Sequence, residues 1–291
     1  MRGPCSGESE HYICRIAEPA PCQENKIRST IKAAAIGFVC LPLAFAPPAL
    51  AQKRGGGGNQ QPRSDFGQAL PSAGLSVHFP NGAACTPISS PYGSPTRYDG
   101  SKRPTGGLDG VLHGGIDLTL KPETPLLAVA PGRVFSIGEG GMLEGNFIWI
   151  LHLPADTGLP FGFLAKYQHL LEKPNVARGE RVSVGQAIAL SGKTGTVGGH
   201  YRSAGYPHLH LTVRMIPDDK LPLVENAAGE FLINRDTVII DPLSIYIPGI
   251  KAPGDDDALS NEARQLSIAY VDGAGSVQPP SAGFVWPVAC P

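Results

Sequence analysis

The chain has 291 residues, of which 42% are hydrophobic and 17% charged, and its formal net charge is −1. A chain this close to neutral lacks the excess of Lys and Arg that marks a nucleic-acid-binding protein, so the sequence argues against nucleic acid as a partner.

The first 51 residues divide into two segments. Residues 1–25 have no periodic apolar pattern and remain unassigned. Residues 26–51 combine a basic start, an apolar run and the sequence Ala49-Leu50-Ala51, which is the order of parts in a secretory signal peptide. A membrane anchor is the alternative, but three prolines interrupt the run, and it is shorter than the ~20 residues that span a bilayer. We therefore expect export to a periplasm or cell envelope, with no stable membrane span after cleavage.

Signal cleavage would leave two of the six cysteines, Cys85 and Cys290. An even number of cysteines in an exported protein suggests a disulfide, here between the start of the folded region and its tail. Two unrelated buried thiols are the alternative, because sequence alone gives no distance between them.

Residues 52–74 are rich in glycine and polar residues and predict a flexible linker. The next segment, 75–250, is long enough for one domain with its own core. It contains short apolar runs separated by turn residues, and no long amphipathic helix is evident. We predict an all-β domain of antiparallel strands, followed by an irregular tail over 251–291. The apolar runs cover residues 126–130, 133–137, 146–152, 181–185, 187–192 and 207–213.

Two histidine-containing stretches suggest a metal site. His113 and Asp117 are four residues apart, so they share one face if the segment is extended, and the two glycines between them permit close backbone approach. His208 and His210 alternate with apolar residues in a strand-like pattern and therefore point to one side. His113, Asp117 and His210 together form a catalytic zinc set, with three protein ligands and a fourth position left for water.

Five fragments of the sequence, taken in order, resemble the lysostaphin/LytM-type zinc endopeptidases. The resemblance runs from about residue 83 to 246, and no single fragment would be sufficient evidence. The fragments are the His113 motif, Tyr167-Gln168-His169-Leu170, the glycine-containing stretch 182–195, the His208 motif and Ile240-Asp241-Pro242-Leu243.

This resemblance implies a two-layer β fold with a cleft that hydrolyses peptide bonds in the cross-links or stem peptides of peptidoglycan. It implies Zn²⁺ as the cofactor, held by His113, Asp117 and His210. It also implies that His169 and His208 act on protons and on the oxyanion. Considered alone, His169 would be read as a packed or surface histidine.

The sequence departs from the family pattern at three places. The loop before Pro207 is longer than usual and contains His200, Tyr201 and Tyr206, for which an exposed loop position is the simpler interpretation. A second insertion, 215–238, is compatible with a hairpin. The tyrosine that family members often place near the oxyanion has no motif-level match, and Tyr98 is the nearest candidate.

Two alternatives to a peptidase remain at this point. A non-catalytic module of the same fold would bind the cell wall or activate another wall hydrolase, but such modules typically lose zinc ligands. A biotinyl or lipoyl carrier would need a lysine on an exposed turn between apolar neighbours, and Lys193 lacks them.

Overall fold

The computed structural model describes residues 72–103, 112–140, 144–196, 205–216, 223–225, 231–233, 237–252 and 255–291. The unassigned extension, the predicted signal peptide and nearly all of the predicted linker lie outside these ranges, so those assignments stay predictions.

Strands account for most of the regular structure in the described residues, and the prediction of an all-β fold is confirmed. Within the described ranges there is a single α-helix, α1, at Pro154–Thr157, and none of the helices there has the length and apolar character needed to cross a bilayer. Short 3-10 helices lie at Pro80–Gly82, Pro242–Tyr246 and Asp255–Ala258. In chain order the strands are β1 Ser76–His78, β2 Ile116–Thr119, β3 Pro125–Leu127, β4 Gly132–Glu139, β5 Asn146–His152, β6 Gly162–Leu170, β7 Arg181–Val182, β8 Ala187–Leu190, β9 His208–Ile216, β10 Leu223–Glu225, β11 Phe231–Ile233, β12 Val238–Ile240, β13 Gln265–Ser267, β14 Tyr270–Val271 and β15 Val277–Gln278.

Strand β9 is central to a seven-stranded antiparallel sheet. One edge of β9 pairs with β6, and β5, β4 and β7 continue the sheet beyond it. The other edge of β9 pairs first with β2 and then with β12. This sharing brings the chain around residue 117 directly beside the histidines of β9.

The core lies on one face of this sheet and is closed by the two-stranded sheet β3–β8, which gives the domain two layers. Leu209, Leu211 and Val213 of β9 are fully buried there, with Leu126 of β3 and Ile188 of β8 in the same cluster. Because alternate residues of a strand face opposite sides, the histidines of β9 point away from this core.

Residues 265–291 belong to the segment 251–291 that the sequence led us to expect as an irregular tail, but they contribute to the same core. Trp286 is fully buried, and its indole nitrogen donates a hydrogen bond to the carbonyl oxygen of Thr86. Cys290 forms a disulfide with Cys85, with the two Cα atoms 4.4 Å apart, so of the two alternatives for this pair the structure has the bridge. The short apolar run 284–288 lies among glycines and prolines, but burial of its side chains removes apolar surface from water and so stabilises the packed tail.

The insertion 215–238 contains a pair of antiparallel strands, β10 and β11. The expected hairpin is therefore present in the residues described there.

Candidate metal centre

Strand pairing places two of the predicted ligands side by side. Asp117 of β2 lies opposite His210 of β9 in the register of the antiparallel pair. Opposed residues in such a pair project to the same face of the sheet, with their Cβ atoms about 5 Å apart. The carboxylate and the imidazole therefore meet, and His210 Nδ1 is 2.8 Å from Asp117 Oδ1.

His113 reaches the same point from outside the strand. β2 begins only at Ile116, so His113 does not share its face through strand alternation as the spacing suggested. Instead the chain bends at Gly114 and Gly115 and passes close to β9. A Cβ at Gly115 would lie 2.4 Å from the carbonyl oxygen of Leu211, so only glycine fits this close approach.

Three ligand atoms converge at this point. His113 Nε2 is 3.1 Å from Asp117 Oδ1 and 3.0 Å from His210 Nδ1. Together with the contact between Asp117 and His210, these distances form a compact triangle, and the three residues are a group able to hold a metal ion.

The chemistry of this triangle fits a divalent cation. The ring nitrogen His113 Nδ1 lies 2.9 Å from the carbonyl oxygen of Pro91, which can only accept, so Nδ1 carries the proton and Nε2 presents a lone pair. That lone pair faces the carboxylate oxygen of Asp117, an arrangement that is repulsive unless a proton or a cation lies between them. Tetrahedral Zn²⁺ with bonds of about 2.0–2.2 Å separates its ligands by about 3.3–3.5 Å, so the triangle would need to open by only about half an ångström.

Two further histidines lie beside the triangle. His208 Nε2 is 3.7 Å from Asp117 Oδ1, and the rings of His169 and His208 have centroids 4.5 Å apart. Each has its Nδ1 atom 2.8 Å from a carbonyl oxygen, of Tyr206 for His208 and of Thr194 for His169. The Nδ1 atom of each ring therefore carries the proton, and each Nε2 is free to accept one.

His169 reaches the site through a β-bulge. Tyr167 points into the core, so regular alternation would send His169 there too. In the pairing of β6 with β5, the register shifts between Asn146 and Ile148, leaving Gln168 and His169 opposite a single residue. His169 has a left-handed φ of 61°, which turns its ring out of the core and towards His208.

Burial and the neighbouring groups together set the charge states of these residues. Burial raises the pKa of Asp117, but the imidazoles of His113 and His210 beside its carboxylate outweigh this effect and hold the pKa well below its ordinary value. Burial lowers the pKa of His169 to about 3 and that of His210 to about 4, and it also lowers the pKa of His208. Near neutral pH the site thus offers an ionised carboxylate and imidazoles that are neutral, which is the state that binds metals and accepts protons.

Sequence reasoning missed two residues behind the triangle. Arg103 Nη2 lies 3.4 Å from Asp117 Oδ2, and the hydroxyl oxygen of Ser90 lies 3.4 Å from His113 Nδ1. Both residues belong to the segment 89–103, which has no strand pattern and no motif. No signal in a single sequence would have pointed to them.

The remaining sequence candidates divide into two groups. Tyr206 stacks on His208 with ring centroids 4.7 Å apart, and Tyr98 stacks in turn on Tyr206, so both aromatic residues lie at the rim of the site. The hydroxyl of Tyr206 also contacts Thr119 and Ser89. The other two loop candidates, His200 and Tyr201, lie outside the described residues.

Comparison with known proteins gives a consistent picture. Residues 111–221 match the model of Peptidase family M23, and this segment contains the five site residues predicted from the sequence. Lysostaphin of Staphylococcus staphylolyticus is 31% identical over 128 residues, which cover 42% of this chain and 24% of lysostaphin. The peptidoglycan DD-endopeptidase ShyA of Vibrio cholerae is 36% identical over 107 residues, or 36% of this chain and 21% of that protein. The resemblance drawn from the motifs is confirmed.

A solved structure of a zinc-containing peptidase from Vibrio cholerae is 27% identical, with a TM-score of 0.33, and the match covers 54% of this chain and 40% of that one. The chain spans about a quarter of the length of the relatives named above.

Proposed function

Because residues 111–221 match the model of Peptidase family M23, we propose that the protein is a zinc-dependent endopeptidase that hydrolyses peptide bonds in peptidoglycan cross-links or stem peptides. The observation that supports this proposal best is the convergence of one ligand atom each from His113, Asp117 and His210, 2.8–3.1 Å apart, beside two further imidazoles.

Under this proposal His113 Nε2, Asp117 Oδ1 and His210 Nδ1 would hold the ion. Zn²⁺ bound there would lower the pKa of a water molecule to about 7 and would polarise a carbonyl oxygen. The contacts behind the ligands fix their orientation. The carbonyl oxygen of Pro91 accepts from His113, and the hydroxyl of Thr212 lies 3.0 Å from His210 Nε2.

His169 and His208 handle protons and charge. Each has its Nδ1–H bound to a carbonyl oxygen, so each presents an Nε2 lone pair towards the site. One ring can take the proton of the attacking water and return it to the leaving amine. The other can donate a hydrogen bond to the oxyanion that forms on the scissile carbonyl when its Nε2 holds a proton taken from solvent. The reaction then needs no covalent intermediate with the protein.

The choice of substrate rests on the relatives. Lysostaphin is similar over 128 residues of this chain, and the name of ShyA states that it acts on peptidoglycan. A wall substrate also agrees with the predicted signal peptide, and we propose that the protein works in the periplasm or cell envelope. N-terminal sequencing of protein recovered from the cell envelope would begin at residue 52 if this is right, and an uncleaved chain in the cytoplasm would contradict it.

The function is tested by metal analysis and digestion. The purified protein should retain one zinc per chain after dialysis and release soluble peptides from purified peptidoglycan. Chelation should abolish the release, and added zinc should restore it. His210→Ala should lose both zinc and activity, while the same change at the exposed His78 should keep both. Full digestion by the metal-free protein would overturn the proposal. Product masses from muropeptides of known cross-link would identify the bond that is cut.

A further inference from the structure

We propose that Arg103 is a positioning residue for the metal centre, which holds the Asp117 carboxylate so that one oxygen faces the ion and the other does not. This inference rests on the metal centre proposed above.

The two oxygens of Asp117 have different partners. Oδ1 is surrounded by ring nitrogens, with His210 at 2.8 Å, His113 at 3.1 Å and His208 at 3.7 Å. Oδ2 points the other way and lies 3.4 Å from Arg103 Nη2. The Asp117 side chain is 7% exposed and that of Arg103 is 19% exposed, so the pair is shielded from most of the solvent.

Arg103 is itself held in place at two further points. Its Nη2 donates to the hydroxyl of Ser90 at 2.8 Å, and its Nε donates to the carbonyl oxygen of Thr96 at 3.2 Å. A guanidinium group that makes several hydrogen bonds is fixed in both position and plane. It can therefore fix the plane of the carboxylate it contacts.

Ser90 extends this control to the second ligand. It is 1% exposed, and its hydroxyl oxygen lies 3.4 Å from His113 Nδ1. Its carbonyl oxygen also accepts the backbone N–H of Asp117 at 2.9 Å. Arg103 and Ser90 thus contact both ligands that the chain supplies from residues 113–117.

The physical need for such a residue follows from the shape of the site. A carboxylate that is free to rotate can bind an ion through either oxygen or through both. The coordination number is then not fixed, and binding is weaker. A cation at Oδ2 occupies that oxygen and leaves Oδ1 for the ion. Partners of this kind, one step behind a ligand, typically change metal affinity 10–100-fold when removed.

The first test measures zinc affinity by competition with a chromophoric chelator. Arg103→Met should raise the dissociation constant for zinc about 10–100-fold. Arg103→Lys keeps the charge but cannot make all the contacts of the guanidinium, so it should show a smaller loss in the same direction. Arg97→Met is the matched control, because Arg97 lies on the same segment and hydrogen-bonds to Ser101 and Lys102 away from the site. It should bind zinc as the wild type does.

A second readout separates positioning from general destabilisation. With Co²⁺ in place of zinc, Arg103→Met and Arg103→Lys should change the shape and intensity of the visible absorption bands, which report coordination number, while circular dichroism stays that of the folded protein. Arg97→Met should leave the bands unchanged.

The outcomes are distinct. If the wild type binds zinc and both Arg103 variants bind it within twofold with the wild-type cobalt spectrum, the inference is overturned while the proposed function stands. If the wild type binds no zinc, the inference and the proposed metal centre fall together.

Discussion

The two faces of strand β9 differ in chemistry, because one packs in the apolar core and the other carries the histidines of the candidate site. One face carries Leu209, Leu211 and Val213, all fully buried in the core. The other carries His208 and His210, which are buried or partly buried but contact charged and polar groups. Apolar burial on the first face stabilises the strand and fixes its position. The histidines on the second face are thereby held beside the other polar groups of the site.

The polar cluster on the second face persists inside a small β domain because its groups are paired. Burying a charge or an imidazole is unfavourable unless it is paired, and here each buried imidazole of the site has at least one partner. We therefore expect changes on the site face to alter chemistry with little effect on folding, and changes on the core face to do the reverse.

The largest effect should come from the two histidines that are not proposed as ligands. We expect His169→Ala and His208→Ala each to lower kcat by 10²–10⁴-fold, which is the range for loss of a general acid or base. Both variants should keep one zinc per chain, because His113, Asp117 and His210 are intact. Release of soluble peptide from peptidoglycan, measured beside zinc content, checks this. Activity within tenfold of wild type in both variants would place the proton-transfer groups elsewhere.

At Leu211, which follows the proposed ligand His210, we expect a substitution to lower stability and to leave activity unchanged, and this effect is the smaller one. Leu211→Ala removes a fully buried side chain from the core face and should lower the free energy of unfolding by about 3 kcal/mol. Urea unfolding followed by tryptophan fluorescence measures the loss. Below the unfolding transition the variant should bind zinc and turn over substrate as the wild type does. Loss of zinc from the folded variant would show that the two faces of β9 are not independent.

A further histidine lies on the core side of the sheet. His152, at the end of β5, is fully buried, stacks on Phe163 and has Nδ1 2.8 Å from the carbonyl oxygen of Pro131. Its Nε2 has no hydrogen-bond partner among the described residues. Burial lowers the pKa of His152 to about 4, against about 6.5 in an unfolded chain.

The lowered pKa of His152 makes the free energy of unfolding fall as the pH falls. Between pH 6.5 and 4 the unfolded state binds more protons at this residue, so acid destabilises the native state, by at most about 3 kcal/mol near pH 4. His152→Phe should remove this contribution, so the difference in stability between variant and wild type should shift in favour of the variant as the pH falls. Urea unfolding at pH 7 and pH 4.5 measures the shift. Activity at pH 7 should not change, and a pH-independent difference between the two proteins would refute the assignment.

Much of the site could be predicted from local sequence because β9 is a regular strand. The alternation around His208 and His210 reports directly which side chains share a face, and the glycines before Asp117 indicate a close approach that the structure contains at Gly115. The antiparallel all-β fold was predictable from the same short apolar runs.

Other parts of the site could not be predicted from strand periodicity because they depend on irregular backbone, and His169 was predicted only through the family resemblance. His169 reaches the site only through a bulge and a left-handed φ, and alternation would have sent it into the core. Arg103 lies on a segment without periodicity, so only the folded chain shows its contact with Asp117. In the tail, the many glycines and prolines predicted irregular structure, although the tail also contains a short apolar run whose Trp286 is fully buried.

Crystallography at the zinc absorption edge tests most directly whether His113, Asp117 and His210 bind one divalent ion. We expect a single anomalous peak within about 2.0–2.2 Å of His113 Nε2, Asp117 Oδ1 and His210 Nδ1. A zinc-loaded crystal with its peak elsewhere, or with no density between these three atoms, would contradict it.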